Sequence, residues 1–261
     1  MTGPAADLEA VQEYLRFAAA HHREVVAVGP FRLHVDALSG SPGLNYAIPD
    51  ARARPDAAAV EALLAAFTER ELTPALEYLP ALCPEAEAPL RAAGLRVEAR
   101  IPVMTARPED LRDVEPPGGV GVATVDTRTS DATLARVRAV QDAAFGAPVK
   151  VVEAGEIERL RRTARDGVVA FAYAAGEIIG GGVALVVHDG LTELAGIGVD
   201  AEHRGRGVAA ALTAVLARTA VARGARLPFL TPADEAAGRV YARAGFATVG
   251  EMLHVRGAAM G

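Results

Sequence analysis

The sequence predicts an α/β (α+β) protein whose two halves are similar to each other. Strand-like apolar runs alternate with helical periodicities along all 261 residues, and short turns containing Gly or Pro separate them. A hydrophobic content of 51% is sufficient for packed cores, and the length fits one large or two ordinary domains. The order of predicted elements in the first half recurs in the second half, at a shift of about 150 residues.

These periodicities and turns predict the individual elements. In the first half, helices are expected over 7–20, 56–69 and 84–93, and strands over 24–28, 31–37, 44–48, 75–79 and 95–104. In the second half, strands are expected over 120–125, 168–174, 177–187, 191–199, 226–230 and 246–255. Helices are expected over 131–145, 156–165 and 234–244, and a long helix after the strand at 191–199 ends at Gly224.

A stretch rich in Pro and Gly separates the two halves. Residues 105–121 read TARPEDLRDVEPPGGVG, a composition typical of a linker or an inter-domain strap. We therefore predict a first domain over 1–106, a linker over 107–118 and a second domain over 119–261. The alternative to a repeat is a coincidental similarity between two α/β segments.

The turn between the strand at 191–199 and the long helix has the composition of a phosphate-binding site. It contains Arg204-Gly205-Arg206-Gly207, and its glycines let backbone N–H groups approach a ligand closely. The first N–H groups of a helix have no partner within the helix, and the helix dipole favours an anion beside them. A tight, solvated connection from strand to helix is the plain structural alternative.

A dinucleotide fingerprint is a second alternative, because Gly205-x-Gly207-x-x-Ala210 has its spacing. Five residues separate the strand from Gly205, whereas the fingerprint places its first glycine at the strand end. No acidic residue follows about 20 positions later to bind a ribose hydroxyl. The preceding segments are also predicted as hairpins rather than as a βαβ series.

Two motifs of the second half together resemble the GNAT superfamily of N-acetyltransferases. The family's Arg/Gln-x-x-Gly-x-Gly/Ala pattern corresponds to Arg204-x-x-Gly207-x-Ala209, between a strand and a helix. The family's Asn-x-x-Ala-x-x-x-Tyr-x-x-x-Gly-Phe segment corresponds to residues 234–246, with Tyr241 at its tyrosine. The resemblance covers about the last 145 residues. With the repeat, it implies tandem GNAT-like domains, each a mixed, mostly antiparallel sheet flanked by helices.

The resemblance implies transfer of an acetyl group from acetyl-CoA to a primary amine, by direct attack in a ternary complex. It implies that pantetheine lies along the strand at 191–199 and that the pyrophosphate rests on the turn that follows. The cofactor-binding residues that it implies are Ile197, Val199, Arg204, Gly205, Arg206, Gly207, Val208, Ala209 and Asp234. At position 234 the chain has aspartate where the family has asparagine. A carboxylate accepts hydrogen bonds but does not donate them as an amide does, so the role of Asp234 in cofactor binding stays open.

Two residues are candidates for proton transfer. Tyr241, at the family's tyrosine position, is implied to be the acid that protonates the departing thiolate; the alternative is an aromatic side chain packed beside Phe246. Glu193 is the candidate base, because it is the only carboxylate in its strand and desolvation would raise its pKa toward neutrality. An edge-facing or helix-capping glutamate, or an anchor for a substrate ammonium, are the alternatives.

The first half carries the repeat without this chemistry. At the positions of residues 205–207 it has Pro55 and Asp56 followed by alanine. Proline removes an N–H donor, and aspartate places negative charge at the helix start while capping the helix itself. Leu90 stands at the position of Tyr241 and cannot donate a proton. We therefore expect the first half to bind no CoA and to have a structural role.

Composition argues against several other classes of protein. A net charge of −6 and the lack of a basic run argue against a nucleic-acid partner. The longest apolar run, 178–187, is too short and Gly-rich to span a bilayer, and the first ten residues lack the pattern of a signal peptide. The single cysteine, Cys83, fits a reducing cytoplasm, and the histidines have no metal-ligand spacing, so we expect no metal.

The expected partner is a small-molecule amine or a peptide amine, and the sequence leaves its identity open. Asp142, Glu153 and Glu156 lie in the expected acceptor region and would suit a cationic amine, or form plain solvated surface. The sequence also leaves the oligomeric state undetermined, with a homodimer as one alternative. A non-catalytic acyl-CoA-binding or regulatory protein is the alternative function, because the first half of the same chain has lost the chemistry.

Overall fold

The computed structural model describes residues 3–21, 23–36, 43–147 and 151–258. The chain forms two compact units, one comprising Met1–Val103 with Val249–Gly261 and the other Met104–Thr248. Throughout the described part of the chain, no helix is both long and apolar enough for a membrane crossing. Residue 37, the last of the strand predicted over 31–37, lies outside the described residues.

Helices and strands alternate in the order that the sequence predicts. The α-helices are α1 (Pro4–Ala20), α2 (Ala57–Thr68), α3 (Glu87–Ala92), α4 (Asp131–Ala144), α5 (Ala154–Asp166), α6 (Val208–Ala222) and α7 (Glu235–Arg243). The strands are β1 (Glu24–Val28), β2 (Phe31–Val35), β3 (Tyr46–Pro49), β4 (Ala75–Tyr78), β5 (Arg96–Thr105), β6 (Val120–Thr124), β7 (Val168–Ala174), β8 (Glu177–Ala184), β9 (Leu191–Val199), β10 (Leu227–Leu230) and β11 (Ala247–Arg256).

Element bounds differ from the prediction by up to three residues; β8, for example, ends at Ala184 rather than at residue 187. Two of these differences have local reasons. Helix α3 begins at Glu87 rather than at residue 84, because a 3₁₀ turn at Pro80–Leu82 comes first and the Ala86 N–H bonds back to the Cys83 carbonyl. Helix α1 begins earlier than predicted, at Pro4, since proline is favoured in the first turn of a helix, where its missing N–H costs nothing.

The sheet of the first unit has the strand order β1-β2-β3-β4-β11-β5. The pairs β1–β2, β2–β3 and β4–β11 are antiparallel, and β3–β4 is parallel. Fully buried side chains from strands and helices form its core, among them Phe31, Phe67, Tyr78, Leu90 and Leu253. The compact units differ from the predicted domains at the C-terminal boundary, because the last four residues of β11 pair with β4 of the first unit.

The sheet of the second unit has the order β10-β9-β8-β7-β6, with the end of β5 paired to β10. The β9–β10 pair is parallel and the other described pairs are antiparallel. Helix α4 packs closely on β8 and β9 because glycines face it. A Cβ on Gly181 would lie 2.8 Å from Val137 Cγ1, and one on Gly198 would lie 2.7 Å from Ala144 Cβ.

The two units repeat one arrangement, as the sequence predicts. In the first unit, a hairpin (β1–β2) precedes a strand, β3, that leads into α2 and pairs in parallel with the next strand, β4. In the second unit, the hairpin β7–β8 precedes β9, which leads into α6 and pairs in parallel with β10. Helices α3 and α7 then follow at equivalent positions. Each unit is thus a mixed, mostly antiparallel sheet flanked by helices.

The predicted linker, residues 107–118, packs against helices of the second unit. The Arg112 N–H donates to the Ala244 carbonyl at 3.1 Å, and the Arg218 guanidinium donates to the Leu111 carbonyl at the same distance. Leu111 is itself buried, and Arg218 also pairs with Asp113 at 2.8 Å. This segment therefore acts as a strap along the start of the second unit.

Candidate active site

The start of α6 presents backbone N–H groups that no side chain caps. Gly207 is the residue before the helix, with a φ of 96° that favours glycine, and the Val208 side chain behind it is buried. The first described bond of the helix joins the Ala211 N–H to the Gly207 carbonyl at 3.1 Å. The preceding N–H groups of the first turn are therefore available to an anion, and the helix dipole favours one there.

Arg204 holds the turn in place with its guanidinium. Its Nε donates to the Val199 carbonyl at 2.9 Å, and its Nη2 donates to the Ala144 carbonyl at 3.3 Å. The side chain thus ties the end of β9 and the end of α4 to the turn, rather than pointing at a ligand. Arg206 is exposed, and it does not belong to the cavity wall described next.

A cavity of about 560 Å³ begins at this turn and runs along β9 to α7. Ten of the eleven residues predicted for the site line it, Arg206 being the exception. They are Glu193, Ile197, Val199, Arg204, Gly205, Gly207, Val208, Ala209, Asp234 and Tyr241. The tertiary structure therefore gathers residues from β9, the turn, α6 and α7 around one cavity.

The cavity opens where β9 extends beyond its parallel partner. The described pairs of β9 with β10 end at Glu193 and Phe229, and β10 itself ends at Leu230. Strand β9 continues to Val199, so its backbone from residue 194 onward lines the cavity on this side. Unpaired strand backbone beside a cavity can accept and donate hydrogen bonds to an extended ligand containing amides.

An irregularity at Gly196 shapes β9 in the middle of the cavity. Gly196 has a φ of 60°, and the register of β8 against β9 shifts between Gly181 and Val183. Gln141 from α4 fixes this shape, since its Nε2 donates to the Gly196 carbonyl at 2.7 Å. A Cβ on Gly196 would lie 2.9 Å from the same nitrogen, so the close contact requires glycine.

Sequence reasoning missed Gln141. The residue is only 4% exposed, and its Oε1 atom is buried without a hydrogen-bond partner in the described structure. Its helical spacing from Leu134 and Val137 was the available signal, because it places an amide on the apolar face of α4. A buried, half-satisfied amide is costly unless a ligand or water completes it.

Tyr241 and Asp234 belong to α7. The Asp234 side chain caps the helix, accepting the Ala237 N–H at 2.7 Å, as an N-cap residue does. Burial raises the pKa of the Tyr241 phenol, and the nearby Asp234 carboxylate raises it further. The phenol is therefore protonated throughout the neutral range and can donate a proton.

Glu193 lies at the position where the described pairing of β9 with β10 ends. Its side chain is half-buried, and it lines the cavity on the sheet side. Its backbone carbonyl accepts the Leu185 N–H at 2.9 Å, which anchors this part of β9 to the chain beyond β8. Glu193 thus belongs to the part of the cavity wall formed by β9, away from the start of α6.

A second cavity of about 290 Å³ adjoins the first. Side chains from α4 and α5 line it, and among the described residues it shares only Ala195 and Gly196 with the first cavity. The irregular part of β9 therefore belongs to the wall of both cavities.

A comparison with protein families identifies this half of the chain. Residues 135–246 match the family described as Acetyltransferase (GNAT) family. They form a GNAT domain. The matched residues run from α4 to the start of β11 and include both cavities, so this domain is an acyltransferase.

Solved structures share the fold at low sequence identity. A GCN5-related N-acetyltransferase from Kribbella flavida has a TM-score of 0.80 and 23% identity, covering 96% of this chain and 95% of its own. One from Sphaerobacter thermophilus has a TM-score of 0.66 and 20% identity, covering 88% of this chain and 79% of its own. A tandem GNAT protein from the clavulanic acid biosynthesis pathway has a TM-score of 0.63 and 16% identity, with the same coverages. No curated protein matches the chain significantly.

The GNAT domain differs from the first unit at the same point of the fold. In the first unit, Asp56 precedes α2 and its carboxylate accepts the Ala59 N–H at 2.8 Å. Pro55 before it has no N–H to offer. The start of α2 is therefore closed by its own side chain, whereas the start of α6 in the GNAT domain is open.

Proposed function

We propose that the GNAT domain transfers an acetyl group from acetyl-CoA to a primary amine, by direct attack in a ternary complex. The observation that carries the proposal is the continuous cavity that joins the uncapped start of α6, the unpaired edge of β9 and Tyr241. A second cavity shares Ala195 and Gly196 with this one, and each cavity would receive one of the two substrates.

The residues present fit acetyl-CoA as a co-substrate. The N–H groups at the start of α6 would hold the pyrophosphate, because the helix end carries partial positive charge and no side chain occupies it. The backbone near Ile197 and Val199 would bond to the pantetheine amides as an adjacent strand does. Arg204 would contribute by fixing the turn, since its guanidinium is bonded to protein carbonyls.

The reaction requires one proton acceptor and one proton donor. Glu193 would take a proton from the amine, directly or through water, so that the nitrogen lone pair attacks the thioester carbon. As the C–N bond forms and the C–S bond breaks, Tyr241 would give its proton to the sulfur of the leaving CoA. Both substrates would lie beside Ala195 and Gly196, which line both cavities. The amine could then attack the thioester directly, and no covalent intermediate with the enzyme would be needed.

The first test is isothermal titration of the purified protein with acetyl-CoA, with CoA and NAD as comparison ligands. We expect one site per chain for acetyl-CoA and for CoA, because the start of α6 is uncapped and lies beside a cavity, whereas Asp56 caps the equivalent start of α2. Release of free thiol in the presence of a primary amine would then establish turnover.

Each other outcome has a definite meaning. Two sites per chain would show that α2 also binds, despite Pro55 and Asp56. Binding of acetyl-CoA with no turnover of any amine would favour a non-catalytic acyl-CoA-binding protein. Binding of NAD alone would contradict the proposal and restore a dinucleotide function.

A further inference from the structure

The second cavity of the GNAT domain has a charge pattern that differs from the one the sequence suggests. Arg138 on α4 pairs with Asp142 at 2.5 Å and, through Nε, with Glu156 of α5 at 3.5 Å. The Asp142 and Glu156 side chains are only 12% and 17% exposed, so these pairs are shielded from solvent. The other oxygen of Glu156 accepts the Glu153 N–H at 3.2 Å and caps α5. Both carboxylates are therefore engaged within the protein.

Arg159 is the charged residue of the cavity wall that takes no part in these ion pairs. It lies on α5, three residues after Glu156, and lines the cavity together with Arg138 and Glu156. Among the described residues, no carboxylate forms an ion pair with Arg159. Asp142 and Glu156 share Arg138, so Arg159 is the guanidinium of the described wall that has no carboxylate partner. A guanidinium binds carboxylates in a two-pronged geometry.

Gln141 supplies a second, independent feature of the same wall. Its side chain is more than nine-tenths buried, and its Oε1 atom has no hydrogen-bond partner in the described structure, while its Nε2 is used by Gly196. A carbonyl-type oxygen requires a donor, which an amine N–H provides. Gln141 and Gly196 both line this cavity, and Gly196, to which the Gln141 amide is bonded, also lines the first cavity.

We propose that the acceptor is a small primary amine that also carries a carboxylate, with Arg159 binding the carboxylate and Gln141 Oε1 accepting an N–H from the amine. The inference rests on the proposed acetyl transfer and specifies its second substrate. A cavity of about 290 Å³ suits a molecule of amino-acid size. A diamine would instead place a second positive charge beside Arg159.

The test compares three amines of similar length in the free-thiol assay with acetyl-CoA: 4-aminobutyrate, its amide 4-aminobutanamide, and 1,4-diaminobutane. We expect kcat/KM for 4-aminobutyrate to exceed that for the other two by at least about tenfold, the effect of one charged hydrogen-bonded pair. Arg159→Gln should remove this preference and leave the amide unchanged. Arg162→Gln is the matched control, since Arg162 is exposed on the same helix and does not line the cavity.

The outcomes separate this inference from the proposed function. A preference for the diamine, or an equal loss for all three amines in Arg159→Gln, would overturn the inference while acetyl transfer stands. Binding of acetyl-CoA without turnover of 4-aminobutyrate would also overturn it. Failure of acetyl-CoA to bind in the titration would instead refute the proposed function. Unchanged unfolding midpoints for both variants would show that the comparison concerns folded protein.

Discussion

The starts of α2 and α6 occupy the same position in the two units and differ in what covers their N–H groups. At α2, the Asp56 carboxylate caps the helix at 2.8 Å and Pro55 contributes no N–H. At α6, Gly207 precedes the helix without a side-chain cap, and a cavity lies beside it. A capping aspartate stabilises a helix and occupies the site that an anion would use, so stability and ligand binding compete for the same N–H groups.

Helices α3 and α7, which occupy equivalent positions in the two units, also differ in whether they contribute to a cavity. Leu90 of α3 is fully buried in the core of the first unit. Tyr241 of α7 is only partly buried and lines the cavity of the GNAT domain. One position of the repeat thus serves packing in one copy and presents a phenol to a cavity in the other. A fold can be retained while a few residues decide whether it offers a site.

The largest expected effect concerns this phenol. Tyr241→Phe should lower kcat by about 10²- to 10⁴-fold, the usual contribution of a positioned acid, with the acetyl-CoA affinity unchanged. Stopped-flow or free-thiol kinetics with titration calorimetry would measure both quantities. Tyr173→Phe is the matched control, because Tyr173 is exposed on β7 and lies outside the cavity wall. Unchanged turnover in Tyr241→Phe would remove the phenol from the mechanism.

The raised pKa of the Tyr241 phenol predicts how activity depends on pH. Burial raises the pKa of Tyr241 above its ordinary value of 10, so the protonated acid persists to a higher pH than a free tyrosine would. Activity that depends on this acid should therefore hold through the neutral and mildly alkaline range and be lost only above about pH 10. A loss centred below that pH would have to arise from another group.

A smaller effect is expected when the aspartate of the first unit is copied into the GNAT domain. Gly207→Asp should weaken acetyl-CoA binding by about 100-fold, since it places negative charge and a competing cap at the pyrophosphate position. Gly207→Asn is the control, because asparagine tolerates the positive φ and carries no charge. Calorimetry should show a loss of less than about tenfold for asparagine. Equal losses for the two variants would mean that the competing cap or the backbone conformation, not the charge, is responsible.

The smallest expected effect compares two capping aspartates. Asp56→Ala and Asp234→Ala each remove a cap bond, of 2.8 Å and 2.7 Å, and should each lower the free energy of unfolding by about 1 kcal/mol. Chemical denaturation would measure this. Only Asp234→Ala should also change the acetyl-CoA affinity, because Asp234 lines the cavity. A change in affinity for Asp56→Ala would contradict a purely structural first unit.

Much of the site was predictable because its residues are close in sequence. Residues 191–209 form a strand, a turn and a helix start in immediate succession, so local patterns suffice to predict how they are arranged. The roles of individual side chains were less predictable. Arg204 was expected to bind the cofactor, yet its guanidinium bonds to the Val199 and Ala144 carbonyls. Ala144 is 60 residues away in sequence, and no local pattern indicates that contact.

The sequence by itself determined the order of the elements, the repeat and the open start of α6, since periodicity, glycine placement and capping act over a few residues. Tertiary structure decided three further features: the pairing of β11 with β4, the Gln141 bond that shapes β9 at Gly196, and the neutralisation of Glu156 by Arg138. Each of them joins segments far apart in the chain. Such contacts depend on which elements pack together and at what register, which local propensity does not specify.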